Sequence, residues 1–300
     1  MAPELIPKSP KRLTKLSYSK LQQTFKREIV SCDLCHGRDF EIIQKYGRIA
    51  EPGVYGDLTI SCCKTCGLTV QNPRYPDEFY KTYYEEMYRK VAFGDLVPSD
   101  EYVAQQKERG RNVRVWVEKS GVPKGKLLDH GCASGGTMVD WNQNGWKSVG
   151  IDPHKPSVDI GIKMGHDIRL ADGELLPFKD KRFTCIISLG SLEHCYNLGS
   201  AMREIHRVLC KNGHLFIRWR SNKIFGSPIE YYNHNHYRFF TPETLEKTVN
   251  IFGFKVLATT NQKLEGWDSY SYLLCEKLDV NIPLDIQPVS PEYVQNEKEH

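Results

Sequence analysis

The sequence predicts an α/β protein: a mostly parallel sheet with helices on both faces and an antiparallel edge strand, preceded by a small cysteine-rich domain. Three observations carry that prediction. From Lys126 onward, short apolar runs alternate with helix-length segments, the rhythm of consecutive β-α-β units. Near the end, strand-like runs at 254–260 and 268–278 follow each other with no helix-length gap, so they pair antiparallel. Five of the ten cysteines crowd into residues 32–66. The 300 residues are 40% hydrophobic and 26% charged, enough apolar material for one large and one small domain. No run of about 18 apolar residues is present to span a membrane.

The elements follow in order. Residues 1–29 read as a basic arm: the first 28 carry seven Lys/Arg against Glu4 and Glu28, with Pro3, Pro7 and Pro10 leaving helix only over about 17–27. They contain no apolar stretch of the secretory type, so the expected location is cytoplasmic. Residues 30–76 form the Cys-rich domain, with β-like runs at 39–46 and 58–61 and a stiff end, Asn72-Pro73-Arg74-Tyr75-Pro76. Residues 77–120 hold linking helices, an aromatic one over 77–92 and another over 99–120, stopped by Gly121 and Pro123. The α/β domain spans 121–278. Its strands are expected at 126–130, 148–152, 167–170, 183–189 and 214–219, and its helices at 136–144, 157–164 and 198–210. Thr241 caps a further helix with Pro242 at its first position, ending at Gly253. Residues 279–300 are an acidic tail with five acids and one Lys. The net charge is +4 but the body is near neutral, whereas a nucleic-acid binder would show a strongly basic face.

Leu127-Leu128-Asp129-His130-Gly131-Cys132-Ala133-Ser134-Gly135-Gly136 lies between a strand and a helix. A turn of small residues there lets backbone approach a ligand at the carboxyl end of a sheet. Asp152 closes the next strand, where an acid accepts the hydroxyls of a ribose. A dinucleotide fingerprint would need glycine at 133, which is Ala133, and Asp129 would set an anion near the pyrophosphate. An anion there suits a cofactor with a positive centre and an ammonium group, which describes S-adenosylmethionine (SAM).

At these residues the chain resembles the class I SAM-dependent methyltransferases. Asp129-x-Gly131-Cys132-x-x-Gly135 is similar to their first motif, and Asp152 matches their ribose acid. Ala171-Asp172-Gly173-Glu174-Leu175-Leu176-Pro177-Phe178 resembles their adenine-capping segment. Ser191-Leu192-Glu193-His194 follows the fourth strand, as in many members. Arg207-Val208-Leu209-x-x-x-Gly213-His214-Leu215 and His236-Tyr237-Arg238-Phe239-Phe240-Thr241-Pro242 resemble later segments. The departure is Ala133, where the family usually has Gly. The resemblance covers about 120–280 and implies a Rossmann-like domain that binds SAM through Asp129, Gly131, Cys132, Ala133, Gly135, Asp152, Asp172, Gly173 and Ser188.

Cys32-x-x-Cys35 and Cys63-x-x-Cys66 give two knuckles whose four thiolates suit a closed, structural zinc site. Cys62 competes with Cys63, but only Cys63 gives the two-residue gap. A redox pair and a haem-attachment reading of Cys32-Asp33-Leu34-Cys35-His36 are alternatives, and the second leaves the other knuckle unexplained. The other five cysteines read as buried thiols. The module resembles the zinc ribbon that precedes some bacterial methyltransferases, including sugar-modifying ones, and certain RNA methyltransferases.

Methyl transfer to a hydroxyl or acidic carbon needs an aligned acceptor and a group to take its proton. The candidates are His194, His234 and His236, expected at the carboxyl edge of the sheet; each also fits a structural or solvated histidine. Tyr231, Tyr232 and Tyr237 could line the acceptor pocket, and Arg218 and Arg220 could bind a phosphate. The expected function is methyl transfer from SAM to a small molecule, such as a nucleotide-sugar or glycan intermediate, rather than to nucleic acid. An RNA base methyltransferase and a non-catalytic SAM- or partner-binding scaffold are the alternatives.

Overall fold

A computed structural model describes residues 21–46, 58–88, 99–220, 236–260 and 270–280. The chain opens on antiparallel strands β1 (Phe40–Tyr46), β2 (Leu58–Cys63) and β3 (Thr69–Gln71). The short third strand was not expected. The expected helix near 17–27 is helical over 21–24 in its described part. Leu21 and Phe25 pack with Tyr75 and Phe79, and Glu28 pairs with Arg74, so the end of the basic arm is anchored.

Two helices follow. α1 (Asp77–Tyr83) buries Phe79, Tyr80 and Tyr83 and continues as a π-helical turn over Tyr84–Tyr88. α2 (Asp100–Lys119) starts on Ser99, whose hydroxyl accepts from Tyr102 N, and crosses the next helix at Gly110. A Cβ there would lie 2.1 Å from the Thr137 carbonyl oxygen, so only glycine permits that approach.

The large sheet is built from β4 (Lys126–His130), β5 (Lys147–Asp152), β6 (Ile168–Leu170), β7 (Phe183–Leu189) and β8 (Leu209–Arg220), all parallel. Helices α3 (Gly136–Gln143), α4 (Lys155–Lys163) and α5 (Leu198–Val208) connect them. Leu198, Ala201, Met202, Ile205 and Val208 recur at helical spacing and bury one face of α5, capped by Asn197. The expected helix over 198–210 stops at Val208 because Leu209 is buried in the sheet opposite Phe183; Asn212, at φ 57°, and Gly213 bulge the strand before the regular register resumes at His214.

After β8 come β9 (Arg238–Phe239), α6 (Pro242–Ile251), β10 (Phe254–Thr260) and β11 (Tyr270–Lys277). Thr241 and Thr244 cap α6 reciprocally, as its sequence predicts. The sheet order is β10-β11-β8-β7-β4-β5-β6, with the antiparallel pair at one edge: β11 runs against β8 and β10 forms the rim. β9 leaves this sheet and pairs with β3, so the small sheet is β1-β2-β3-β9. The Cys-rich module is therefore completed by a strand from the far end of the chain. Its residues Leu34, Leu68 and Val70 share one buried cluster with Leu192, Phe240 and Leu245 of the large domain. No helix among the described residues is long and apolar enough to cross a membrane.

Candidate active site

The connections leave β4 in one direction toward β5 and in the other toward β7, so a crevice opens at their carboxyl ends. The turn after β4 forms its floor. Gly131 has φ 86°, and a Cβ there would lie 2.6 Å from Ser191 Cβ, so glycine alone lets this turn meet the loop after β7. Ala133 holds φ 50° and donates its amide to Asp152 Oδ2 at 2.7 Å, while His154 N donates to Asp152 Oδ1 at 2.8 Å. Asp152 thus organises the turn across which it faces.

The crevice is a cavity of about 370 Å³. One end is acidic, with Asp129, Asp152 and Asp172 on its wall beside Gly131, Ala133 and Gly173. The Asp129 carboxyl is buried, and its Oδ2 has no hydrogen-bond partner among the described residues. Burial and the nearby Asp152 carboxylate push it up to about 8, against the pull of Arg109 and Arg218. His130, not anticipated from sequence, clamps this end: its Nδ1 meets Ser191 Oγ at 2.9 Å and its Nε2 donates to the Gly173 carbonyl at 3.1 Å. A Cβ at Gly173 would collide with that imidazole at 2.5 Å.

Three expected cofactor contacts do not reach the cavity wall. Cys132 turns its thiol into a cluster with Met138, Val158 and Ile168. Gly135 faces Ile168 and Met138, each 2.9 Å from an added Cβ. Ser188 is fully buried, bonded to Ser191 Oγ at 2.7 Å. Cys132 and Gly135 thus pack against Met138 and Ile168, and Ser188 supports Ser191.

The other end of the cavity joins groups far apart in sequence. His194 and His236 stand with ring centroids 4.6 Å apart. The Tyr84 hydroxyl hydrogen-bonds His194 Nδ1. His236 is buried, and that burial, with His194 and Arg220 nearby, holds its imidazole well below the ordinary histidine range, so it is neutral near pH 7. Glu193, adjacent to His194 in the chain, is the group that sequence reasoning missed as a site residue. It is buried on the cavity wall, its Oε2 lacks a partner among the described residues, and burial raises its carboxyl pKa against the pull of Arg218, Arg220 and Arg238. Arg218 and Arg220 also border the cavity, as does Tyr237. His234, Tyr231 and Tyr232 lie outside the described residues.

A second site lies in the Cys module. Cys32, Cys35, Cys63 and Cys66 are all buried, with their sulfur atoms within 4.8 Å of one another. Cys32 and Cys66 Sγ are 3.5 Å apart, as are Cys35 and Cys63 Sγ. Four thiols so grouped fit one tetrahedral ion with metal–sulfur bonds of about 2.3 Å. Cys62 points away, toward the Gly67 carbonyl at 3.5 Å. Gly67, at φ 82°, turns the second knuckle so that its amide reaches the Cys63 carbonyl at 2.8 Å.

Comparison with known proteins agrees with this geometry. A family described as "Methyltransferase domain" matches residues 128–217. The sterol 4-C-methyltransferase strm-1 of Caenorhabditis elegans is 33% identical over 98 residues, 30% of this chain and 29% of its own. A probable tRNA methyltransferase 9B of Bos taurus is 32% identical over 98 residues, 32% of this chain and 21% of its own. The chain thus spans less than a third of the length of these two relatives. The solved structure of the PH0226 protein from Pyrococcus horikoshii OT3 shares the fold, with a TM-score of 0.51 and 18% identity over 66% of this chain and 98% of that one. The match to the methyltransferase family thus falls on β4 to β8 of the seven-stranded sheet and includes the turn after β4 that floors the cavity.

Proposed function

We propose that the protein transfers a methyl group from SAM to a small polar acceptor, and that a structural zinc ion closes its Cys module. The observation that carries this reading is the two-ended cavity. Its acidic end offers a buried carboxyl oxygen on Asp129 that lacks a partner among the described residues, and its opposite end gathers His194, His236 and Glu193. Asp129 would accept from the cofactor's ammonium, Asp152 from its ribose hydroxyls, and the Asp172–Gly173 segment would border its base. When bound, SAM supplies an electrophilic methyl group on a sulfonium.

The chain's own groups do the rest. His236, held neutral by burial, accepts a hydrogen bond from an acceptor hydroxyl. His194 is oriented for the same purpose by Tyr84. Glu193, its carboxyl pKa raised by burial, takes part in holding the acceptor's proton. His234 stays in the candidate set on its sequence position. Arg218 and Arg220 suit a phosphate, so a nucleotide-sugar or glycan intermediate is the acceptor class we favour. Four thiols gathered for a metal ion suit a reducing compartment, the cytoplasm. We take 30–76 as the zinc-ribbon domain and 121–278 as the methyltransferase domain.

An RNA acceptor is the second reading, favoured by the tRNA methyltransferase relative, and it requires RNA binding that weakens steeply with salt. Calorimetry with SAM and with NAD tests the cofactor assignment. SAM should bind more tightly, and Asp152→Ala should cost about 1–3 kcal/mol of its affinity through lost charge-assisted hydrogen bonds. Tighter NAD binding, or unchanged SAM affinity in the variant, contradicts it.

A further inference from the structure

One buried ion pair joins the Cys module to the acceptor end of the cavity. Asp33 sits inside the first knuckle, between Cys32 and Cys35. Arg238 donates to Asp33 Oδ2 from Nε at 3.1 Å and from Nη2 at 2.8 Å, and Arg74 approaches the same carboxylate at 3.3 Å. Arg238 is fully buried. Its Nη1 donates to the carbonyls of Leu192 at 2.8 Å and Cys195 at 2.6 Å, and its Nη2 to that of Tyr196 at 3.1 Å. Those carbonyls bracket Glu193 and His194. One guanidinium therefore ties the metal knuckle to the backbone that presents two candidate site residues. A lysine has no planar fork to serve carboxylate and carbonyls together.

A second set of contacts reaches the third site residue. Gln71, at the end of β3, donates from Nε2 to the His236 carbonyl at 2.6 Å and from its amide to the Tyr237 carbonyl at 2.9 Å. Tyr237 N then donates to the Glu193 carbonyl at 2.9 Å. The chain thus runs from the small sheet through β9 to the loop after β7. The amides of the turn after β4 donate instead to Ile151 and Asp152 of β5, and this turn meets the loop after β7 through Ser191, whose Oγ donates to the His130 carbonyl at 2.6 Å.

We propose that Asp33 and Arg238 are positioning residues through which the metal-closed Cys module holds Glu193, His194 and His236 in place. On this account the module is a wall of the acceptor site, and its closure orders that end of the cavity alone. Removing the Asp33 charge leaves a buried guanidinium without its counterion, which loosens the carbonyls that it gathers. The consequence for turnover rests on the methyl-transfer reading above; the local ordering does not.

Hydrogen–deuterium exchange on the full chain tests this, with metal content and SAM affinity measured on the same samples. Asp33→Asn keeps all four thiols and the side-chain shape. In it, peptides covering 189–197 and 236–241 should exchange at least about tenfold faster, while 126–137 keeps its rate and metal content and SAM affinity are unchanged. Stripping the metal from the parent with a chelator should reproduce the same local pattern. Exchange that rises uniformly along the chain, or that stays unchanged at 189–197 in either sample, overturns the proposal. Arg238→Met should show the stronger version; where it does not fold, Asp33→Asn decides alone. A parent chain that binds no SAM refutes the methyl-transfer reading and leaves the exchange result to judge the clamp.

Discussion

Replacing Asp129 by Asn probes the acidic end of the cavity most sharply. In the cofactor-free protein the carboxyl stands at about 8, raised first by burial and then by Asp152. A group with that value is ionised in about a tenth of the molecules at pH 7 and about a hundredth at pH 6. If SAM binds through its ammonium, it selects the ionised form, so the parent should bind about tenfold more tightly at pH 7 than at pH 6 and release about one proton. The Asn variant should lose that pH dependence. It should also bind more weakly at pH 7, by about 1.5–3 kcal/mol, the range for a hydrogen bond to a charged group. Stability should move the other way. The folded value lies above the unfolded one of about 4, so the stabilising contribution of the protonated carboxyl is complete below pH 4 and is lost as pH rises to about 8. The Asn variant, which cannot ionise, should therefore gain stability relative to the parent across that window. Calorimetry in two buffers of different ionisation enthalpy, with thermal melts from pH 4 to 9, measures both effects. Equal parent affinity at pH 6 and pH 7 without proton release, or parent-like binding by the variant, refutes the role given to Asp129.

Two further outcomes follow from the sites. The purified protein should hold one zinc per chain by elemental analysis, lost in Cys32→Ser or Cys66→Ser and kept in Cys62→Ser and Cys132→Ser; zinc loss in Cys62→Ser alone would reassign the second knuckle. His236→Ala should lower turnover by about a hundredfold with SAM affinity intact, and His194→Ala should do so less; wild-type turnover in both, and in His234→Ala, would leave alignment alone as the source of rate.

The parts legible in the sequence are those whose physics is local. Thr241-Pro242 marks a helix start because cap and first turn lie within four residues. The two CxxC pairs mark a thiolate site because each knuckle fixes its own geometry, and the chain closes Cys63, not Cys62, onto the first pair. The turn around Gly131 and the acid at Asp152 are readable because strand, turn and helix follow one another directly. What stayed hidden depends on distant residues. β9 is two residues long and exists because β3 offers an unpaired edge. The Tyr84–His194 contact spans 110 residues, and the Arg238–Asp33 pair spans 205. Glu193 lies within the Ser191–His194 motif, but only the fold shows that its carboxyl is buried with Oε2 lacking a partner among the described residues. Ser188 lies near the end of β7 beside the site, but that its side chain turns into the sheet's packing is visible only in the fold.

Transfer of label from methyl-labelled SAM is the most direct test of the central claim. The purified chain should be incubated with a small-molecule extract and, separately, with total RNA. The account predicts labelled product in the small-molecule sample, absent when Asp152→Ala replaces the parent. Label in RNA alone would contradict the acceptor class, and SAM bound without label passing to either sample would contradict methyl transfer itself.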